Sequence, residues 1–304
     1  MSARKSKIKI GAILFGGAAA FFDDVLIGIQ SQAKQLSDAG CELMINSRCK
    51  PTIQGQLQAI DDMVQDGAQG LIFPPINSIE IVNKINELYK KGIPVITTNS
   101  DVENSHRLCY VGGDYFTSGR TAGALMGMIT AGHADIGIIS GLNTIKCHTD
   151  RISGFQEKLS KDFKDMHIVG IVENLADEFI SYNVTHNLLT QYPEINGLYI
   201  IASGVYGACR AVLDLGLKGK VKIICHDDIP DTKKLINDGI ISATICQEPF
   251  KQGALPVKLM FNYLTYAIPP KSELYYTNNI IKIKEILESP NAGNENEEMN
   301  VEYP

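Results

Sequence analysis

A regular alternation of short apolar segments and amphipathic segments is the feature that most restricts the fold of this 304-residue chain. In the first hundred residues it predicts strands near 8–15, 41–46, 69–73 and 93–98, separated by helices near 22–38, 53–66 and 78–91. Because the links between strand and helix are short, successive strands run parallel. We therefore predict an α/β fold with a doubly wound parallel sheet.

The pattern starts again after Gly112-Gly113, which breaks a short strand at 108–111. The second half is predicted to contain strands near 135–140, 167–172, 197–201, 221–225 and 242–246, with helices near 115–131, 148–161, 178–190, 204–215 and 230–237. A helix at 250–266 and a strand at 278–284 follow. The chain is long enough to form two lobes of ordinary size.

Residues 92–126 carry the most specific pattern. A buried strand at 94–98 ends at Asn99-Ser100-Asp101, and the strand at 108–111 leads through Gly112-Gly113 into a helix that Asp114 can cap. This arrangement resembles the type I periplasmic-binding-protein fold, and within it the ligand-binding domains of LacI-type transcriptional regulators and their ribose-binding-protein relatives. The resemblance extends over roughly residues 8–284.

The resemblance implies two doubly wound parallel-sheet lobes joined by a three-segment hinge. The N-terminal lobe would comprise residues 8–112 plus 249–277, and the C-terminal lobe residues 113–248 plus 278–288. The helix at 250–266 would then return to the first lobe, which periodicity alone does not show. Residues 289–304 are polar, acidic and aperiodic, so we predict a disordered tail.

Charge and cysteine content favour a cytoplasmic protein without nucleic-acid affinity of its own. The net charge of −6 comes from six carboxylates after Lys284, so the remainder offers no basic surplus for DNA. The seven cysteines are scattered without a CxxC pair, as in proteins of a reducing compartment. A basic segment before Ile10, followed by Ala18-Ala19-Ala20, is similar to a signal peptide, but residues 8–15 are also needed as a central strand.

Ligands of parallel α/β sheets bind beyond the carboxyl ends of the strands, so the residues found there are the candidates. In the first lobe, one of Phe21 and Phe22 is expected to stack on a sugar face, as the resemblance implies, and the other to pack in the core. Asn99 can both donate and accept hydrogen bonds. Asp101 either provides a ligand carboxylate or forms an Asx turn.

The later candidates are His148, Asp227 and Gln247. His148 opens a helix and is either a ligand residue or structural. The resemblance implies that Asp227 accepts sugar hydroxyls and that Gln247 is the hinge glutamine of ribose binders. Arg151 is expected to pair with a nearby acid.

The chain departs from the pattern of ribose binders at several of these positions. Ribose binders carry an amide at the position of Pro74 and an arginine at that of Thr149. Sugar binders often have Asp-Arg where this chain has Asn99-Ser100. These departures leave the identity of the ligand open.

No motif predicts catalysis. Cys225-His226-Asp227-Asp228 and Cys147-His148 lack metal-ligand spacing, and the chain contains neither a P-loop nor a G-x-S-x-G elbow. We therefore expect a binding protein that is not an enzyme and needs no metal or cofactor.

Two functional interpretations follow from the resemblance. The preferred one is the small-molecule-binding domain of a LacI-type regulator, in which a bound sugar or polyol closes the cleft between the two lobes. Such a protein is expected to be a cytoplasmic homodimer. Only Met1–Lys7 precede the first strand, so this chain alone is expected to contact neither DNA nor membrane. The alternative is the exported solute-binding receptor of an ABC sugar importer.

Overall fold

The computed structural model describes residues 7–16 and 19–288. The first part of the chain forms β1 (Ile8–Phe15), α1 (Ala19–Ser31), α2 (Ala33–Asp38), β2 (Cys41–Cys49), α3 (Ile53–Gln65), β3 (Gly70–Phe73), α4 (Ile79–Lys90), β4 (Val95–Thr98) and β5 (Cys109–Gly113). The middle part forms α5 (Tyr115–Ile129), β6 (His133–Ser140), α6 (Lys146–Asp162), β7 (Asp165–Glu173), α7 (Glu178–Gln191), β8 (Gly197–Ile200) and α8 (Val205–Asp214). The last part forms β9 (Lys222–His226), α9 (Pro230–Asn237), β10 (Ala243–Cys246), α10 (Pro249–Tyr266), β11 (Leu274–Thr277), β12 (Ile280–Lys282) and α11 (Lys284–Leu287).

Two six-stranded sheets arrange their strands in a corresponding order and differ in the direction of one edge strand. The first has the order β2-β1-β3-β4-β5-β11 and is parallel throughout. The second has the order β7-β6-β8-β9-β10-β12, and only β12 is antiparallel to its neighbour. The predicted α/β class with doubly wound parallel sheets is therefore confirmed.

The chain divides into two compact units. The first contains the described residues up to Asp114, together with 143–149 and 247–278, and the second contains 115–142, 150–246 and the described residues from 279 onward. This division differs from the predicted lobes chiefly by placing residues 143–149 in the first unit. The predicted lobe boundaries stay a prediction, and the predicted tail at 289–304 lies outside the described residues, as does Ala18 of the segment similar to a signal peptide.

The first unit buries both faces of its sheet. Ile10, Ala12 and Leu14 of β1 pack with α1 and α10 in one core cluster. Gly11, one residue out of phase, faces the side chain of Met63 on α3 instead. Side chains that alternate along a strand point to opposite faces, so one strand contributes to both layers.

The second unit repeats this two-layer arrangement. Leu198 and Ile200 of β8 pack against α7 and α8, whereas Tyr199 and Ile201 pack against α5 and α6. A strand covered on both faces is expected to be continuously apolar, which explains why the period-2 pattern is weak in these strands.

Two predicted elements differ in detail from the structure. The predicted helix at 22–38 is two helices, α1 and α2, and Ser31 at the junction donates its hydroxyl to the carbonyl of Gly28 at 2.6 Å. Such back-bonding competes with the regular helix. The predicted strand at 278–284 is present as the shorter β12, whereas β11, just before it, was not predicted and belongs to the other sheet.

Candidate ligand-binding site

The carboxyl end of β4 places Asn99 in a left-handed conformation, with φ of 59°. Its backbone N–H donates to the Val111 carbonyl at 3.0 Å, and its own carbonyl accepts from the Tyr110 hydroxyl at 3.2 Å. Its side-chain nitrogen donates to Oε1 of Gln252 at 3.3 Å. Asn tolerates this backbone region better than most residues. The structure therefore holds Asn99 both by its backbone and through its side-chain amide.

Asp101 forms a two-pronged ion pair with Arg107. Arg107 Nε and Nη2 lie 2.6 Å from Oδ1 and Oδ2 of the carboxylate, and the Thr97 hydroxyl donates to Oδ1 at 2.7 Å. Both side chains are largely buried. Paired N–H···O bonds of this kind are strong and directional. Asp101 therefore holds the loop after β4 in place through Arg107 and Thr97. This ion pair was not predicted from the sequence.

The aromatic candidates at the start of α1 occupy different environments. Phe21 is buried in the core of the first unit, whereas Phe22 is only half-buried and packs against that core. The two rings are 5.3 Å apart in an edge-to-face arrangement, and Phe22 is 6.2 Å from Phe15 in the same geometry. Of the pair, Phe22 is the ring with a partly accessible face.

Gln247 lies at the junction of β10 and α10 and is 3% exposed. Its backbone carbonyl accepts from Nε2 of Gln252 at 2.6 Å, and its side-chain oxygen lies 3.4 Å from the same nitrogen. The structure thus places Gln247 and Asn99 on opposite ends of one buried amide. Sequence analysis did not identify Gln252, because its partner Asn99 is 153 residues away.

His148 lies in the first turn of α6 and is half-buried. Its backbone N–H donates to the Ile145 carbonyl at 3.0 Å. It belongs to residues 143–149, which pack with the first unit rather than the second. Its predicted ligand role stays a prediction.

Asp227 follows β9 in the second unit, again with a left-handed backbone, φ 65°. Its N–H donates to the Ile245 carbonyl at 3.1 Å, and its carbonyl accepts from the Thr244 hydroxyl at 2.7 Å. These backbone bonds fix the residue at the end of the strand while its side chain is half-buried.

The neighbours of Asp227 on each side are structural. His226 is buried and its Nε2 lies 2.8 Å from the Tyr199 hydroxyl. Asp228 lies 3.2 Å from the buried Lys282 and 3.4 Å from Lys233. Burial alone would raise the pKa of the Asp228 carboxyl, but the charges of Lys282 and Lys233 outweigh it and hold that pKa below its ordinary value.

Arg151 pairs with no acid among the residues that the structure describes, so that expectation is wrong. Its guanidinium is 3% exposed, lies over the Tyr115 ring at 4.8 Å, and donates through Nη1 to the carbonyl of Ile201 at 2.8 Å. Its Nε and Nη2 are buried without a hydrogen-bond partner within the described residues. A cation can be held by a ring face and a carbonyl, but its remaining N–H groups still require acceptors.

Ser140 ends β6, the strand next to β8, and its buried hydroxyl also lacks a partner among the described residues. Ser140 was not among the residues predicted from the sequence, and Arg151 was predicted to pair with an acid instead of contacting the ligand. Their positions in the sequence could have identified them: Ser140 is the last residue of β6, and Arg151 lies near the start of α6, the helix that follows this strand. Unsatisfied donors at this edge of the second sheet are what an oxygen-rich ligand would satisfy.

No three histidine, cysteine or acidic side chains within 7–16 and 19–288 come together as metal ligands. Over the same part of the chain, none of the helices combines the length and the apolar character needed to span a membrane.

The chain is similar to known proteins that are named for binding or importing sugars. Residues 10–267 match the family model described as the periplasmic binding protein domain. The D-allose-binding periplasmic protein of Escherichia coli is 27% identical over 250 residues, 79% of each chain. The ribose import binding protein RbsB of the same organism is 26% identical over 240 residues, 78% of each chain.

The fold of this chain is also similar to the solved structure of a sugar-binding protein. GanP, a glucose-galactose binding protein from Geobacillus stearothermophilus, superposes with a TM-score of 0.87 at 26% identity, over 94% of this chain and all of the other.

The preferred functional prediction, a cytoplasmic LacI-type transcription regulator, is wrong. The relatives are periplasmic and import binding proteins, not regulators. The motif at 92–126 is a property of the fold that both classes share, so it does not separate them. The number of free cysteines does not indicate a reducing compartment either, because all seven thiols are buried and therefore shielded from oxidants in solution. Together, the two sheets of identical order, the match over residues 10–267 and these relatives establish that the chain belongs to the periplasmic binding protein family, type I, on its ribose-binding-protein-like side.

Proposed function

We propose that the protein is the solute-binding component of an ABC-type importer, which binds a sugar outside the cytoplasm and delivers it to a membrane transporter. The observation that carries the proposal is the family match over residues 10–267, with relatives named for binding allose or importing ribose. A membrane transporter thus takes the place of the homodimer partner expected from the regulator interpretation. Binding without catalysis is the proposed activity.

The chemistry of the strand ends supports a sugar. Each sugar hydroxyl both donates and accepts, and a buried hydroxyl without a partner costs about 1–3 kcal/mol. We propose that Gln247 acts as a mixed donor and acceptor, Asn99 and Asp227 as acceptors, and Arg151 as a donor through its unpaired nitrogens. Binding sites of this kind combine a few such polar groups with apolar walls.

Phe22 is the proposed apolar contact, because a flat ring suits the C–H face of a sugar and Phe22 keeps part of its surface accessible. Phe21 is left out because it belongs to the core. Asp101 is also left out, since Arg107 and Thr97 already bind its carboxylate. His148 is kept as a proposed contact of the first unit.

Seven free cysteines are compatible with the proposed export. Burial raises the pKa of the Cys41 and Cys49 thiols to about 11, and of the Cys109 and Cys225 thiols to about 12. The thiolate is the reactive form in disulfide formation, so buried thiols with such a pKa are inert in an oxidising compartment.

Thermal unfolding with a sugar panel tests the proposal. The panel contains ribose, allose, arabinose, fucose, glucose, galactose and fructose, each added to the full chain. A sugar at about 100 times its dissociation constant adds roughly 2.7 kcal/mol to the free energy of unfolding, which raises the melting temperature by several degrees. Isothermal titration calorimetry then gives the affinity of each sugar that stabilises the protein.

Asp227→Ala is expected to abolish the stabilisation. The matched control is Asp238→Ala, an exposed aspartate at the end of α9 in the same unit, which should leave the sugar response unchanged. A panel in which no sugar stabilises the wild-type chain would overturn the sugar proposal. Sugar binding that Asp227→Ala leaves intact would remove Asp227 from the site.

A further inference from the structure

Gln252 is a buried glutamine one turn into α10, and its side chain connects three separate segments of the first unit. It is 0% exposed. Its neighbours are the end of β4, the junction of β10 with α10, and the end of β11. Within the described part of the chain, the hydrogen bonds of its side chain are with neutral groups, so a neutral amide with both a donor and an acceptor suits the position.

The donor side of this amide faces three oxygens. Nε2 donates to the Gln247 carbonyl at 2.6 Å, and lies 3.4 Å from both the Gln247 side-chain oxygen and the Thr277 hydroxyl. Reversing the amide would place its oxygen 2.6 Å from the Gln247 carbonyl oxygen, which is repulsive. The orientation of the Gln252 amide is therefore determined by its surroundings.

The acceptor side transmits this orientation to Asn99. Because Gln252 presents Oε1, Asn99 must turn its NH₂ group towards it, at 3.3 Å. The Asn99 oxygen then points away from Gln252. The backbone carbonyl of Gln252 also accepts from the Thr98 hydroxyl at 2.7 Å, which fixes the end of β4 against α10.

The same amide lies where the chain passes between the two units. Gln247 is the first residue of the first unit after the second, and Thr277 is next to last before the chain leaves again. Glu248 adds a parallel link, because its carboxylate accepts from the Asn278 N–H at 2.5 Å. The segment that begins at Gln247 is thus linked to the end of β11 by two side chains: Gln252 on α10, and Glu248 just before α10.

We infer that Gln252 is a positioning residue of the sugar site: without touching the sugar, it makes Asn99 present its oxygen and holds Gln247 in place. This inference rests on the proposed function, since Asn99 and Gln247 are proposed ligand residues. It adds a determinant of specificity, namely that the end of β4 offers the ligand an acceptor rather than a donor.

Gln252→Met tests the inference, because methionine keeps the volume and removes both polar contacts. By calorimetry with the tightest-binding sugar, we expect the affinity to fall at least tenfold. The stability control is Leu88→Ala on α4, a buried residue of the same unit away from the strand ends. It should lower the melting temperature while leaving the affinity unchanged.

A double-mutant cycle separates positioning from a general structural role. In an Asn99→Ala background, the factor by which Gln252→Met lowers the affinity should shrink at least threefold, since one of the two residues through which Gln252 acts is gone. An equal loss in both backgrounds, or no loss in either, would overturn the inference.

Gln252→Glu provides a second variant if the methionine variant does not fold. The ionised carboxylate cannot donate to the Gln247 carbonyl, whereas the protonated carboxyl can, so sugar affinity should be higher at pH 5 than at pH 8 relative to wild type. Affinity equal to wild type at both pH values would contradict the inference. Wild-type binding is measured first: if wild type binds no sugar, the proposed function fails as well, whereas unchanged variants of a binding wild type refute only the role of Gln252.

Discussion

Single side chains at the strand ends owe their orientation to buried partners. Arg107 fixes Asp101, Gln252 fixes Asn99, and the Tyr115 ring with the Ile201 carbonyl fixes Arg151. A group held in this way loses little further freedom when a ligand binds, which favours affinity. We therefore expect these buried partners to contribute to ligand binding without touching the ligand.

Asp228→Asn should destabilise the protein by about 1–2 kcal/mol at pH 7, because it removes a charge partner of the buried Lys282. The pKa of Asp228 is lowered in the folded state, against an unfolded value of about 3.9. Its stabilising contribution is therefore complete above about pH 4 and is lost as the pH falls through the folded-state pKa.

Urea unfolding of both proteins between pH 7 and pH 3 measures this effect. The difference between wild type and Asp228→Asn should narrow as the pH falls below 4. Asp238→Asn, at an exposed position, is the control and should follow wild type throughout. If the difference in the free energy of unfolding stayed constant down to pH 3, the charge of the Asp228 carboxylate would not be the cause of the stabilisation.

At the scale of elements, three helix pairs cross at glycines. A Cβ at Gly28 or Gly253 would collide with backbone of the partner helix at the α1–α10 crossing. Gly119 and Gly154 play this part for α5 and α6, and Gly207 for α7 against α8. The absence of a side chain lets the backbones approach closely, so these glycines set the distance between helices within each unit.

Gly119→Ala should lower the free energy of unfolding by about 1–3 kcal/mol, because its methyl group would meet the Arg151 carbonyl and the crossing would have to open. Gly123→Ala, one turn along the same helix, is the matched control. A Cβ there meets only side-chain atoms of Lys158 and Leu159, at 3.1 and 3.2 Å.

The control should change stability by less than about 1 kcal/mol, since alanine also favours the helix. Chemical denaturation of both variants provides the comparison. Equal effects of the two substitutions would mean that the backbone contact at Gly119 does not limit the crossing.

At the scale of the whole molecule, two units with the same strand order each carry their own core and their own set of strand-end residues. The proposed ligand residues are divided between them, with Asn99 and Gln247 in the first and Asp227 and Arg151 in the second.

Hydrogen exchange should therefore show slower amide exchange in both units when sugar is added. Segments around Asn99 and around Asp227 are the expected sites of protection, whereas the exposed end of α9 near Asp238 should be unaffected and provides the internal control. Protection confined to one unit would indicate that the ligand uses only that set of residues.

The pattern of the sequence predicted most of the elements and the class of the fold. The β-branched run before Asn99 is a fully buried strand, and the capped segment after Ser78 is a helix that buries Ile81, Ile85 and Leu88. The strand-end positions of Asn99, Asp227 and Gln247 also follow from where the strands stop. The choice between regulator and importer could not be made from residues 92–126, since the fold they specify is common to both.

The sequence by itself determined the local structure and the parallel direction of successive strands, because side-chain periodicity and short connections depend on neighbouring residues. Only the tertiary structure decided that α10 belongs to the first unit, that Gln252 reaches Asn99 across 153 positions, and that Arg151 lies on Tyr115 rather than beside an acid. The physical reason is that each of these contacts joins segments far apart in the chain. Whether such segments meet depends on how the sheets and helices pack, and no local pattern records that.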